Sequence, residues 1–188
     1  MERFLCSPKG FRERALSQLQ LPLGGRALIV GCGSGPEIPI MRNFVGETGH
    51  IDAIDISPKQ IERAIQLCAS KGWENVDLQV IDAAEFIPAH RYDGVVFAFS
   101  YIAMSPNHLE TARYLWNYVV PGGRMGAMEN KLPTWLKFAE PLFQIYVNYT
   151  YLGDIRIDPR LDFQEFGAVA NHHEVFGSHC MVTVKKMG

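Results

Sequence analysis

The stretch RALIVGCGSG, residues 26–35, decides the fold. Arg26 to Val30 make an apolar run of strand length, suited to burial on both faces. Gly31-Cys32-Gly33-Ser34-Gly35 follows without a break, and GPEIPIMRNFV (35–45) then reads as a helix. Pro36 is tolerated in its first turn, where a backbone N–H has no partner anyway. Glycines at such a junction permit unusual backbone angles and let the main chain come close to a ligand. The amides of a helix N-terminus add a patch that favours an anionic group. A tight turn without a ligand uses the same glycines, so spacing has to separate the alternatives. The pattern is G-x-G-x-G. Pro36 stands where a dinucleotide fingerprint has its third glycine, and the GK[ST] of a phosphate loop is absent.

Working outward, the same strand–helix unit repeats. Upstream, Phe11, Ala15, Leu16 and Leu19 predict a short amphipathic helix over 8–20. Downstream, HIDAID (50–55) predicts a strand, with Ser57 as N-cap and Pro58 as first residue of a helix reaching about Ser70. VDLQVI (76–81) and YDGVVFAF (92–99) predict two more strands. A helix over 107–119 and a strand over 124–129, after a Pro121-Gly122 turn, complete the series. The tail, VANHHEV and HCMVTVKK, reads as two strands joined by a glycine turn. Such alternation predicts a parallel sheet with helices on both faces. Residues 131–160 break the rhythm as an aromatic-rich helical insert within one domain, 1–188. Asp55 lies 20 positions beyond Gly35, at the end of the second strand, where an acid can accept hydrogen bonds from ribose hydroxyls. With Ser57 filling the helix-entry role, Asp55 is left for a ligand. Asp82-Ala83 follows the third strand at the same sheet edge.

Composition bounds the function. The 188 residues are 47% hydrophobic, enough for a core, and 18 basic against 20 acidic residues give a net charge of −2. That balance disfavours a chain built to grip nucleic acid and a disordered one. Cys6, Cys32, Cys68 and Cys180 form no CxxC pair, so neither a disulfide framework nor a zinc site is expected. No apolar run reaches membrane-spanning length, and the charged start MERFLCSPKGFRER does not read as a secretory signal. A cytoplasmic location is the expectation.

The motifs together resemble those of the class I S-adenosylmethionine-dependent methyltransferases, over about residues 11–130. ALIVGCGSG resembles the family's first motif, which implies that Gly31, Cys32, Gly33 and Gly35 cradle the methionine part of the cofactor. HIDAIDISPKQIERA resembles the second, implying Asp55 at the ribose and Ile56 against adenine. VIDAAEF resembles the third, with Asp82 at the adenine amine and Ala83 giving a backbone contact. YDGVVFAFSYIAMS resembles the fourth, with Ala98 and Phe99 beside the cofactor. The resemblance implies a Rossmann-like, doubly wound α/β fold with a seven-stranded sheet in order 3-2-1-4-5-7-6, strand 7 antiparallel. It also implies S-adenosylmethionine as cofactor and S-adenosylhomocysteine as product. Methylases of quinone rings and phospholipid head groups are the nearest in flavour. The chain departs from the family in its short N-terminal lid helix and in Ile102-Ala103, which replace the usual histidine pair.

In-line methyl transfer from a sulfonium draws much of its rate from alignment, so catalytic residues are few. Tyr101, just past the fourth strand, is the first candidate for orienting the acceptor, and Glu129, near the end of the fifth, the second. His172 and His173 lack an acidic or thiolate partner at ligand spacing, and no metal is expected. Asp154, Arg156, Asp158 and Arg160 read as a solvated charged face. Trp135, Leu136, Phe138, Ala139, Leu142, Phe143, Ile145, Tyr146, Tyr149 and Tyr151 of the insert would cover a small-molecule or lipid-like acceptor. The alternatives for these residues are packing over the sheet edge, a peripheral membrane contact with Lys131 and Lys137 at head groups, or a homodimer interface. A cofactor-binding protein without methyl transfer, either a partner-supporting subunit or a cyclase, has the same motifs.

Overall fold

The structure is a computed structural model that describes residues 10–130, 138–151, 153–174 and 179–188; of 146–151, 171–174 and 179 only the backbone is described. The chain runs α1 (Phe11–Ser17), β1 (Arg26–Val30), α2 (Ile38–Val45), β2 (His50–Asp55), α3 (Pro58–Lys71), β3 (Val76–Val80) and β4 (Tyr92–Ala98). A 3-10 turn (Ile102–Met104), α4 (His108–Trp116), β5 (Val119–Asn130), α5 (Glu140–Tyr151), α6 (Pro159–Asp162), β6 (Val169–Glu174) and β7 (His179–Lys185) follow. Among the described residues the strands form one seven-stranded sheet, β3-β2-β1-β4-β5-β7-β6. The first five strands are parallel, and β7 is antiparallel to both β5 and β6. The expected architecture is borne out.

The two-residue period of each strand builds two cores. Ala27, Ile29, Ile51, Ala53 and Val96 pack under Phe11, Leu16, Met41 and Ile61 of α1, α2 and α3. Leu28, Val30, Val95, Phe97 and Ala127 face the other way, under Leu115 of α4 and Phe163. Each fully buried large side chain stabilises the fold by about 1.5–3 kcal/mol before entropy is counted.

Several boundaries differ from the sequence expectation, among them α1, which ends at Ser17 rather than Gln20. β5 begins at Val119 rather than 124, because Val119 already pairs with Tyr92, and this also ends α4 at Trp116. Gly122 N–H donates to Lys186 O, and Lys186 N–H to Gly123 O, both at 2.9 Å, so the end of β7 carries the pairing past Pro121. α2 starts at Ile38, with Pro39 rather than Pro36 in its first turn, because the glycine loop runs on to Glu37.

The insert leans on the site from outside. Gln144 of α5 donates to Gly153 O at 2.8 Å and accepts from Ile155 N at 3.0 Å, while Asp154 N–H donates to Ile102 O at 3.1 Å. Phe138, Leu142 and Ile145 point to solvent. Lys131, Trp135, Leu136 and Lys137 lie outside the described residues, as do the side chains of Tyr146, Tyr149 and Tyr151. The loop charges close on one another: Arg156 grips Asp154 at 2.7 Å and Arg160 grips Asp158 at 2.6 Å. No helix among the described residues is long and apolar enough to cross a membrane.

Candidate functional site

A cavity of about 650 Å³ opens along the carboxyl ends of β1 to β5. Parallel strands that share one direction bring their ends, and the loops after them, to a single edge. Nine of the ten cofactor residues expected from the sequence lie on its wall: Gly31, Cys32, Gly33, Asp55, Ile56, Asp82, Ala83, Ala98 and Phe99. Gly35 does not. It closes the turn instead, with its N–H donating to Cys32 O at 2.9 Å.

The glycine loop is held at both ends. Gly31 N–H and Cys32 N–H both donate to Ile54 O, at 2.8 and 3.0 Å. Gly31 has φ of +72°, and a Cβ there would stand 2.2 Å from Cβ of Ser100, so no other residue fits. Gly33 has φ of +53°, and a Cβ there would meet no protein atom within 4 Å: its α-carbon borders open space. The Cys32 thiol is buried, and burial together with Asp55 and Glu37 pushes its pKa up to about 12, so it stays neutral.

Asp55 does two jobs. Its Oδ2 accepts from Gly33 N–H at 2.8 Å and its Oδ1 from Ser57 N–H at 2.8 Å. Ser57 stands at the N-cap of α3, yet its side chain makes no cap bond, so the expectation that it relieves Asp55 of helix entry is corrected. Asp55 itself closes that turn. Ile56 beside it is 69% exposed, an apolar side chain on the cavity wall. Asp82 Oδ1 accepts from Ala84 N–H at 2.9 Å in the same kind of turn.

On the β4 side the wall is strained and capped. Phe99 has φ of +56°, rare for an aromatic residue. Its N–H donates to Met128 O at 2.9 Å, and its ring meets Phe11 at 6.5 Å and the Arg12 guanidinium at 5.3 Å. Arg12 Nε also donates to Glu37 Oε1 at 2.7 Å, and both residues line the cavity. Glu37 is almost wholly buried, and desolvation raises its pKa against the opposing pull of Arg12. The short lid helix thus reaches the site after all, through one ion pair.

The two catalytic candidates do not reach the cavity. Tyr101 is fully buried, donates from its hydroxyl to Asp162 Oδ2 at 3.1 Å, and packs edge-on against Phe97, His108 and Phe163. Burial and Asp162 raise its pKa, which holds the phenol neutral. Ser100, Ala103 and Met104 around the 3-10 turn line the cavity, while Tyr101 is drawn the other way by Asp162 and the rings it packs on. Glu129 is buried beneath that turn, where its Oε1 accepts from Tyr101 N–H at 2.7 Å and Ile102 N–H at 3.3 Å. Desolvation pushes its pKa up to about 8. Among the described residues the insert supplies none of the cavity wall either.

Sequence reasoning missed Arg12, Glu37, Gln60, Met104, Thr111 and Asn130. Two carried a usable signal: Gln60 stands three residues after an N-cap, and Asn130 ends a strand at the edge already identified. The wall fits an adenosyl group carrying an amino acid. Gly33 leaves a cradle, Ile56 an apolar face, and Gln60 Oε1 is a buried acceptor without a protein partner.

Comparison with known proteins agrees with this geometry. A family model described as a methyltransferase domain matches residues 27–123. A demethylmenaquinone methyltransferase of Bacillus cytotoxicus is 26% identical over 142 residues, which cover 75% of this chain and 58% of that protein. One from Staphylococcus aureus is 29% identical over 146 residues, 72% of this chain and 59% of that protein. The chain therefore spans about three fifths of the length of these curated relatives. An S-adenosylmethionine-dependent O-methyltransferase structure from Thermotoga maritima superposes with a TM-score of 0.68 at 18% identity, covering 96% of this chain and 66% of that one.

Proposed function

The chain belongs to the class I S-adenosylmethionine-dependent methyltransferases, and from that premise we propose that it moves a methyl group to a small hydrophobic or amphiphilic acceptor. The observation that carries this reading is the division of the cavity. Its β1–β3 half holds the glycine loop, Asp55, Ile56, Gln60 and Asp82, and its β4–β5 half is lined by Phe99, Ala103, Met104, Thr111 and Asn130.

The cofactor, when bound, supplies a methyl on a sulfonium, which passes to the acceptor while sulfur keeps the electron pair of the broken bond. Asp55 would take the ribose hydroxyls, since each of its oxygens has a lone pair beyond the backbone bond it accepts. Ile56 would pack on adenine and Asp82 would meet its amine. Phe99 and the Arg12–Glu37 pair wall the methionine end from water. Apart from the Arg12–Glu37 pair, which sits against Phe99, the described residues of the β4–β5 half carry no ionisable group. With the Glu37 carboxylate tied to Arg12, the acceptor would bring its own nucleophilicity, as a neutral amine or as a phenol or hydroquinone that loses its proton to water. The chain's contribution is to hold the acceptor in line. Relatives named for demethylmenaquinone favour a hydroquinone ring among these.

Calorimetry with S-adenosylhomocysteine, then mass spectrometry of reduced naphthoquinones incubated with enzyme and S-adenosylmethionine, tests the reading. Binding with a gain of one methyl mass is expected. Binding without transfer across phenol, amine and hydroquinone acceptors would turn the assignment to a cofactor-binding subunit, and no binding would end it.

A further inference from the structure

Beyond the cofactor half, one polar group on the cavity wall has no partner. Asn130 is the last residue of β5, and its carboxamide oxygen Oδ1 is buried without a hydrogen bond among the described residues. A buried acceptor left unmade is costly, so native structures pair nearly all of them. The strand order places Asn130 two strands away from the glycine loop, past β4, on the side opposite Asp55 and Asp82. Adenosine recognition occupies β3, β2 and β1, which leaves this corner to the acceptor.

The surroundings narrow the chemistry. Thr111 and Asn107 of the α4 start, Met104 and Ala103 of the 3-10 turn, and Phe99 complete the corner, and none of them ionises. The one cation beside this corner, Arg12 against Phe99, is already paired with Glu37 among the described residues; a flat apolar ring with a hydroxyl would find both apolar surface and hydrogen-bonding partners. One neighbour holds the corner in place. Glu129, one residue earlier, pins the N–H groups of Tyr101 and Ile102, and the turn they begin carries Ala103 and Met104. The terminal torsion of an asparagine is broad and two-fold, so half a turn exchanges Oδ1 with Nδ2 and can re-aim the acceptor oxygen without moving the strand.

We infer that Asn130 is the acceptor-recognising residue, its carboxamide oxygen accepting a hydrogen bond from a hydroxyl of an uncharged aromatic acceptor. This rests on the methyltransferase reading and names the residue that recognises its acceptor, which that reading lacks.

The test uses the full chain saturated with S-adenosylhomocysteine. Titrations with 1,4-naphthohydroquinone and with its non-donating counterpart 1,4-dimethoxynaphthalene give the preference for a donor. Wild type is expected to favour the hydroquinone roughly tenfold, the worth of one hydrogen bond. Asn130→Leu should lose that preference with S-adenosylhomocysteine affinity unchanged, and Asn130→Asp, which still accepts, should keep it. Should the leucine variant fail to fold, Asn130→Ala carries the same expectation. An unchanged preference in either apolar variant overturns the assignment of Asn130 and leaves the methyltransferase reading standing. Wild type that holds S-adenosylhomocysteine but neither naphthalene overturns the substrate class. Failure to bind S-adenosylhomocysteine at all overturns the methyltransferase reading and this inference with it.

Discussion

Asp55 Oδ2 accepts the backbone N–H of Gly33 at 2.8 Å, across 22 residues of sequence. The bond fastens the end of β2 to the loop after β1, so the acid that would meet the ribose also shapes the loop that would meet the methionine. Cofactor recognition and loop geometry are one linked set.

Replacing Asp55 by alanine removes this bond and the one to Ser57 together with any ligand contact. S-adenosylhomocysteine affinity should fall about 100-fold, two hydrogen bonds' worth, and unfolding free energy by about 1–2 kcal/mol. Calorimetry and urea melts read the two effects separately. An affinity within twofold of wild type would contradict this role.

Gly31→Ala and Gly33→Ala should part company. At Gly31 the added methyl meets Ser100 at 2.2 Å in a left-handed backbone, and a loss above about 4 kcal/mol is expected. At Gly33 nothing stands within 4 Å, so stability should drop only about 1–2 kcal/mol from the backbone angle, while the methyl fills the cradle and cofactor binding is lost. Equal stability losses in the two variants would refute the distinction.

Arg12→Ala leaves Glu37 buried and unpaired. A fully buried pair costs about 3–5 kcal/mol to break this way; with Arg12 36% exposed, about 2 kcal/mol is the expectation. Adding Glu37→Gln to the alanine variant should recover most of it, measured by thermal melting. No recovery would show that the loss is one of packing on Phe99.

Glu129 sets a pH trend opposite to that of an ordinary paired carboxylate. Its folded pKa, about 8, lies above the reference value of 4.5, so the folded chain holds a proton that the unfolded chain has released. This group's contribution to stability therefore falls as pH rises from about 4.5 to 8. Glu129→Gln keeps an oxygen for the two N–H groups without the charge. Urea melts should show a flatter dependence over that range and a more stable variant at pH 8.

The legible part of the site is the part written in consecutive residues. Gly31, Gly33 and Asp55 could be read because a strand, a turn and a helix start dictate local backbone needs at fixed spacing. Tyr101 was misplaced for a related reason. Proximity to the end of β4 was visible, but which side of a three-residue turn faces the cavity depends on what packs beneath it, here Asp162 and Phe163, some 60 residues on. Glu129 was visible as an acid near a strand end, not as one buried under the turn.

By itself the sequence determined the alternation of strands and helices, the sheet order through the resemblance its motifs carry, and most of the residues that line the β1–β3 half of the cavity. These follow from periodicity and local backbone chemistry. Only the tertiary structure decided the rest. Arg12, Glu37, Thr111 and Asn130 come from four separated segments, and parallel strands converge them at one edge. No local spacing encodes that convergence, because it is fixed by strand pairing between residues distant in the chain. The acceptor corner, ending in a carboxamide oxygen without a partner among the described residues, exists only once β4 and β5 lie side by side.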